Sequence, residues 1–297
     1  MDKSIGKCQC CDSLNITQAY NDSFFNLPIL RCEDCLVHFV DYKDQNSMKE
    51  YYSETYWRVF RNIHNKKIKD GVVDDAYAIK KLPKIIRHIV EATGVRKSLA
   101  RSQYKYLKPY IAGKNMLELG SGEGFVLEMF EKHGFDVHGI EPSKENIQII
   151  NKKIKKGKCE IEFAENITKQ DKKFDVIIMS HVLEHLINHS EVLQNLKKVL
   201  SKNGILFLEI PNCENKETLE HSIKTQPHLH HFTKLSLEKL MNKLGYKIIR
   251  IDAFEARVVS ISEHLRYMIF WLLGRDYYVP AAYNKGNNLR VIVTHFH

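Results

Sequence analysis

The sequence predicts an α/β protein: a mostly parallel, doubly wound sheet, preceded by a small cysteine-bearing module and a helical linker. Three observations carry that reading. Residues 113–254 alternate strand-like and helical apolar patterns, as a parallel sheet with helices on both faces requires. An apolar run ending at Leu119 meets three glycines at alternate positions and then a helical pattern. Two Cys-x-x-Cys pairs lie within the first 42 residues.

At 297 residues the chain is long enough for two domains of about 150 residues or one large one. A 43% hydrophobic content excludes a disordered chain, and 14 Gly with 7 Pro exclude collagen-like or low-complexity sequence. Seven Cys, unevenly placed, are too few for a disulfide scaffold. The longest apolar run, Tyr267–Leu273, is far short of the ~20 residues of a membrane span. The opening Met1-Asp2-Lys3-Ser4 has no apolar secretory core, so a cytoplasmic, reducing location is expected. Lys plus Arg (45) exceed Asp plus Glu (36), a net charge of +9. The lysine clusters are scattered and not interleaved with aromatics, which reads as solvated helix faces rather than a nucleic-acid surface.

Taken in order, residues 1–42 form the cysteine module. Residues 43–112 read as a helical linker or cap, with Leu82, Ile85, Ile86 and Ile89 at helical spacing and Pro83 and Gly94 as punctuation. From residue 113 the strand-like runs are 115–120, 136–141, 159–165, 174–180, 204–210 and 246–254. Between them, Val192, Leu193, Leu196, Val199 and Leu200 make one helical stripe, with Asn203-Gly204 as its stop. A helical insert is expected at about 256–287, centred on Val259–Leu273, and Leu289–Phe296 is a final strand. The domain thus runs from 113 to 297.

The chemistry concentrates in Glu118-Leu-Gly-Ser-Gly-Glu-Gly124, after the strand Asn115–Leu119 and before the helix Phe125–Lys132. Glycines permit a tight turn and let a ligand approach the backbone. A dinucleotide turn, Gly-x-Gly-x-x-Gly, needs a third glycine where Phe125 stands. Phe125 crowds a pyrophosphate, and Glu118 repels one while accepting a hydrogen bond from an ammonium group. Glu141, 21 residues after Gly120, ends the second strand, where a carboxylate can take both ribose hydroxyls. Together these features fit S-adenosylmethionine, with ribose on Glu141, the amino-acid tail near Glu118 and Gly120, and adenine at the end of the third strand.

Residues 113–254 resemble the class I S-adenosylmethionine-dependent methyltransferases. The resemblance rests on 118–124, Gly139-Ile-Glu141-Pro142, Phe174-Asp-Val-Ile-Ile178, His181-Val-Leu-Glu184-His185-Leu186 and Gly204-Ile-Leu-Phe-Leu-Glu-Ile-Pro211-Asn212. It implies a seven-stranded sheet whose last strand, here Leu289–Phe296, runs antiparallel. It assigns the cofactor to Glu118, Gly120, Ser121, Gly122, Gly124, Glu141 and Pro142. Ala164, Glu165 and Asn166 would border the adenine, and Ser180 and His181 would line the cofactor's open side.

Cys8-Gln-Cys-Cys11 and Cys32-Glu-Asp-Cys35 can each form one knuckle. Cys8, Cys11, Cys32 and Cys35 then supply four thiolates to a structural zinc ion, as in a zinc ribbon. Cys10 offers an alternative pair with Cys8. A zinc module followed by Tyr51-Tyr52, Tyr56-Trp57 and this core is similar to methyltransferases of sugar, surface-polysaccharide and natural-product pathways. That implies a small-molecule or carbohydrate acceptor, with a hydroxyl of a sugar or sugar nucleotide as the methylated group. The runner-up readings are a metal-assisted RNA 2′-O-methyltransferase, a sugar C-methyltransferase and a non-catalytic cofactor-binding interaction protein.

A hydroxyl acceptor must lose its proton, and a neutral imidazole is the usual base. The candidates are His181 and His185, after the fourth strand, and His228, His230 and His231, in the connection after the fifth. His181, Glu184 and His185, with His230 or His231, could instead hold a divalent metal. That pattern is similar to the Glu-x-x-Glu-His of ubiquinone-biosynthesis O-methyltransferases and small-RNA 2′-O-methyltransferases. His181 replaces the first Glu, which favours a softer ion than Mg²⁺. Tyr267, Trp271, Tyr277 and Tyr278 could cover a sugar, and Cys213 reads as a buried bystander.

Overall fold

The structure, a computed structural model, describes residues 6–59, 95–169, 172–256, 276 and 278–295. The two cysteine pairs fold into matching knuckles. The Asp12 N–H donates to the Cys8 carbonyl at 2.9 Å, and the Leu36 N–H donates to the Cys32 carbonyl at 2.8 Å. Asp12 and Leu36 both sit at left-handed φ, 60° and 63°, which turns the chain sharply after each pair. Strands β1 (Ile16–Tyr20), β2 (Ile29–Cys32) and β3 (His38–Val40) pair antiparallel around them. Asp44 then caps α1 (Gln45–Glu50), accepting from the Ser47 N–H, and α1 runs on through a π-helical turn, Tyr51–Thr55.

The second part opens with α2 (Val95–Leu107) and continues through β4 (Asn115–Leu119), α3 (Phe125–Lys132), β5 (Asp136–Ile140), α4 (Lys144–Lys153) and β6 (Lys158–Glu160). It returns through β7 (Phe174–Ser180), α5 (His189–Val199), β8 (Leu200–Pro211), α6 (Lys216–Thr225), β9 (His230–His231) and α7 (Lys234–Lys243). It closes with β10 (Tyr246–Ala256), β11 (Tyr278–Ala281) and β12 (Asn288–His295). The large sheet has the order β11-β10-β12-β8-β7-β4-β5-β6. From β8 to β6 it is parallel, and β12 runs antiparallel to both β8 and β10. Successive side chains of a strand face opposite sides. Leu117 and Leu119 therefore enter one core beneath α5 and α7, while Met116 enters the other beneath α2, α3 and α4.

The seven expected strands are all present, with β12 antiparallel. An eighth, β11, lies inside the stretch expected as a helical insert. It pairs antiparallel with the end of β10, and Pro280, which has no N–H to donate, is tolerated on this outermost strand. The rest of the insert, 257–275, lies outside the described residues, as do Tyr267, Trp271, Tyr277 and the linker positions Leu82, Pro83, Ile85, Ile86, Ile89 and Gly94. Tyr278 is buried rather than placed as a cover. The expected strand 159–165 is shorter, because Ala164–Lys169 forms a 3₁₀ turn. The stop expected at Asn203-Gly204 falls inside β8, since α5 ends at Val199. Gly204 serves close approach there: an added Cβ would lie 2.9 Å from the Phe174 carbonyl oxygen.

His230 and His231 form β9, which pairs with β3 and makes the fourth strand of the amino-terminal sheet. The module is therefore stitched to the larger unit. The Val40 N–H donates to the Leu229 carbonyl, Thr233 Oγ1 to the Cys35 carbonyl, and Gln9 Nε2 to the Ile187 carbonyl. Cys8, Cys32 and Cys35 share one apolar core with Leu117 and Leu186. Among the described residues, no helix is long and apolar enough to cross a membrane.

Candidate active site

The strand order reverses at β4. The chain moves outward from β4 to β5 and β6, then returns to the other side of β4 with β7. The carboxyl ends of strands at such a reversal leave a crevice for ligands. A cavity of about 370 Å³ occupies it, within the size range of small-molecule sites. Its floor is the turn after β4, where Gly120 and Gly122 take left-handed φ of 69° and 54°. A side chain at Gly120 would also run into Val182 Cγ2.

Two carboxylates flank this turn. Glu118 is buried, and its Oε2 has no hydrogen-bond partner among the described residues. Burial, and then the charge of Glu141, push its pKa well above the carboxylate range. An unpartnered buried carboxylate oxygen facing a cavity suits a cationic ligand group. Glu141 is equally buried but well held. Its Oε2 accepts from the Gly122 N–H at 2.8 Å, and its Oε1 accepts from the Ser143 N–H at 3.1 Å and Asn146 Nδ2 at 3.2 Å. Burial raises its pKa and these bonds oppose the rise.

Of the other expected cofactor residues, Ser121, Pro142, Ala164, Glu165, Ser180 and His181 line the cavity. Gly124 and Asn166 are not in its lining. Gly124, at φ 76°, caps α3 and lets it pack on Ile150, where an added Cβ would lie 2.8 Å away. Asn166 turns to Glu162 Oε1 at 2.5 Å.

The histidines separate into three places. His181 lies in the cavity at a left-handed φ of 55°, a strained conformation for a residue with a Cβ. Its Nδ1 is 3.2 Å from Glu184 Oε1, its Nε2 is 3.9 Å from Glu209 Oε1, and its side chain is 40% exposed. Burial within the protein opposes protonation, but the hydrogen bond and charge of Glu184, with Glu209 behind, prevail and raise its pKa. His185 also lines the cavity. Its Nδ1 lies 2.5 Å from the Tyr52 hydroxyl and 3.1 Å from the Pro227 carbonyl oxygen, and burial lowers its pKa. His228 is one layer back, its ring 4.7 Å from that of His185 and its Nδ1 2.6 Å from Ser222 Oγ.

His230 and His231 are not in the cavity lining. As β9 residues they are buried between the two units, with pKa values pushed down by burial to about 4 and about 3. The metal-capable group is consequently Glu184, His185 and His228, without His181, His230 or His231.

Several residues at or behind the cavity wall carry no sequence signal. Gln103 on α2 donates to Ser180 Oγ at 3.0 Å and to Glu209 Oε1 at 3.1 Å. Arg290 on β12 pairs with Glu209 and donates to Ser102 Oγ, with both charges fully buried. Removing one partner of such a pair costs about 3–5 kcal/mol, so the support behind Gln103 and Ser180 is firm. The roof comes from the segment after α1: Tyr52, Tyr56 and Trp57 line the cavity, and Tyr52 packs edge-on against His185 at 5.0 Å. Only the aromatic density of that segment marked it in the sequence.

Away from the cavity, one ligand atom from each of Cys8, Cys11, Cys32 and Cys35 lies within 4.8 Å of the others. The Cys8–Cys35 and Cys11–Cys32 sulfurs are each 3.6 Å apart. Four thiolates at a Zn–S length of about 2.3 Å would stand about 3.8 Å apart at the corners of a tetrahedron, so the donor set fits that ion. Cys10 is buried beside Cys8 and Cys35 but outside the set.

A family model described as a methyltransferase domain matches residues 92–251. The chain is 34% identical over 100 residues to a ubiquinone biosynthesis O-methyltransferase of Pelagibacter ubique, covering 33% of this chain and 42% of that protein. It is 31% identical over 116 residues to the protein of that name in Pasteurella multocida, covering 34% and 48%. The chain thus spans about half the length, or less, of these relatives. Among solved structures, it is similar to magnesium protoporphyrin IX methyltransferase from Synechocystis, with a TM-score of 0.52, 12% identity and coverage of 85% and 100%. It is also similar to a possible histamine N-methyltransferase from Thermotoga maritima, with a TM-score of 0.51, 19% identity and coverage of 70% and 99%. At those identities the likeness concerns the fold alone. With the family model covering more than half of its length, the chain belongs to the methyltransferase-domain family and is an enzyme of the class I, S-adenosylmethionine-dependent fold.

Proposed function

We propose that the protein transfers a methyl group from S-adenosylmethionine to a hydroxyl of a ring-bearing small molecule, a sugar or an aromatic. The observation that carries this is the pairing, across one cavity, of the Glu118/Glu141 turn with the His181–Glu184 dyad. The cofactor supplies an electrophilic methyl group on a sulfonium. Glu141 would hold its ribose, Glu118 and the Gly120 turn its ammonium end, and Ala164 with Pro142 its adenine. His181, fixed by Glu184 at Nδ1, presents Nε2 to take the acceptor's proton. Tyr52 and Tyr56 offer faces on which a ring can stack, and with Trp57 they exclude water from the reaction. The O-methyltransferase names of the relatives support oxygen as the methylated atom. A pocket of this size under an aromatic roof favours a small acceptor over RNA. The four-cysteine cluster would hold a structural zinc ion, with no open position for catalysis.

The test is labelled methyl transfer to a panel of catechols, sugar nucleotides and short RNAs, followed across pH. His181 accepts a proton only when neutral. Its raised pKa therefore places the acid limb of kcat/KM above the ordinary imidazole value of about 6.5, with a plateau at higher pH. Glu184→Gln removes the group that raises it and moves the limb to lower pH. A limb unmoved by that change sets aside the dyad. Transfer to RNA alone overturns the small-molecule reading. Stimulation by Mn²⁺ that depends on His228 would move the chemistry to the Glu184, His185 and His228 group.

A further inference from the structure

Among the described residues, two that line the cavity carry a buried polar atom with no hydrogen-bond partner: Glu118 Oε2 and Gln103 Oε1. In the proposed binding mode the cofactor's ammonium end takes the first. Its ribose goes to Glu141 and its adenine to Ala164, and its carboxylate, which only accepts, gains nothing from a carbonyl oxygen. Gln103 Oε1 is therefore left for the second reactant.

The orientation of the Gln103 amide is set by its neighbours. Glu209 pairs with the Arg290 guanidinium, both fully buried, so its oxygens only accept. Ser180 Oγ donates to Glu209 Oε1 at 3.4 Å, which leaves the hydroxyl's lone pairs for a donor from Gln103. Gln103 Nε2 meets both, 3.1 Å from Glu209 Oε1 and 3.0 Å from Ser180 Oγ, so both of its N–H groups are used. Turning the amide over would press its carbonyl oxygen against the carboxylate. The side chain is fully buried, and a carbonyl oxygen held there without a donor is costly. A ligand that supplies the donor removes that cost, and an analogue that lacks the donor is rejected.

The surroundings of this oxygen point to the ligand. Glu209 Oε1, which holds the Gln103 amide, is also 3.9 Å from His181 Nε2. The amide and the proposed base thus share one carboxylate oxygen, and both residues line the cavity. An acceptor whose reacting hydroxyl lies at His181 Nε2 brings the adjoining part of its ring beside Gln103.

We propose that Gln103 reads the acceptor: its Oε1 takes a hydrogen bond from a second hydroxyl next to the one methylated, so the enzyme selects vicinal diols over lone hydroxyls. This rests on the methyl-transfer reading of the cavity and deepens it. The reacting hydroxyl loses its proton to His181, its oxygen forms the new bond to the methyl carbon, and the carbon–sulfur bond breaks to leave S-adenosylhomocysteine. Gln103 touches the acceptor without exchanging a proton. Sugars and aromatics both supply such diols, and the neighbouring hydroxyl rather than the type of ring becomes the criterion.

The test offers labelled S-adenosylmethionine with two matched pairs of acceptors, catechol with phenol and cis-1,2-cyclohexanediol with cyclohexanol. The native chain prefers the diol by about thirtyfold in kcat/KM, the effect of leaving one buried polar group unpaired. Gln103→Met, close in volume but without an amide, brings the ratio near one and still binds S-adenosylhomocysteine in calorimetry. Equal use of diol and single hydroxyl by the native chain overturns the proposal, whether or not the variant folds. So does an undiminished preference in a folded Gln103→Met. A folded variant that no longer binds S-adenosylhomocysteine makes Gln103 a cofactor residue and overturns it too. Transfer to neither diol by a native chain that binds S-adenosylhomocysteine overturns the proposal and leaves the cofactor assignment standing; a native chain that does not bind it overturns both.

Discussion

Glu141→Ala weakens S-adenosylhomocysteine binding by about a hundredfold or more, to the point where calorimetry registers little heat. Two hydroxyls donating to one carboxylate contribute about 1.5–3 kcal/mol each, and the alanine removes both. It also leaves the Gly122 N–H, the Ser143 N–H and Asn146 Nδ2 without their acceptor, so the turn loses the group that shapes it. Glu141→Gln separates the two effects. It keeps the shape and one acceptor oxygen, and its loss of affinity is smaller, about tenfold. Thermal melts of both variants check that the fold persists. Native affinity in Glu141→Ala would take the ribose away from this residue.

Cys32→Ser lowers the melting temperature by about 10 °C and empties the cysteine cluster of zinc. A structural zinc site contributes about 10–16 kcal/mol of apparent binding energy in small domains, and losing one thiolate forfeits several of these. Each kcal/mol moves the midpoint of a chain of this size by about 2 °C. The effect reaches the active site, because the knuckles share a core with Leu186 and because β3 pairs with β9 beside the His185 loop. Loss of methyl transfer therefore accompanies loss of metal. Elemental analysis with differential scanning fluorimetry gives the readout. Cys10→Ser is the control: Cys10 lies outside the set of four, and its serine variant keeps one zinc per chain. A native chain free of zinc, or a Cys32→Ser melt matching native, contradicts the assignment.

How much of this was legible beforehand depended on whether the signal was local. The run Asn115–Leu119 into Gly120 reads correctly because apolar periodicity and glycine punctuation act over a few residues, and α3 spans the expected Phe125–Lys132. The cysteine pairs read because each short Cys-x-x-Cys spacing forms one tight turn, and the two turns bring four sulfurs together. The place of His230 and His231 was not legible, because an imidazole looks the same in sequence whether it lines a crevice or pairs as a two-residue strand. Their burial comes from β3, nearly two hundred residues earlier, and nothing nearby announces it. Gln103, Arg290 and Glu209 were invisible for a related reason. A buried ion pair assembled from α2, β8 and β12 exists only after the sheet closes. Gly124 lies outside the cavity lining and lets α3 pack on Ile150, a packing role that its place in the motif does not announce.

Crystals of the full chain grown with S-adenosylhomocysteine give the most direct measurement. The account predicts nucleoside density over Gly120–Gly122, with the ribose hydroxyls on Glu141 and the ammonium group on Glu118. Density lodged elsewhere, or a ribose that leaves Glu141 untouched, would contradict it.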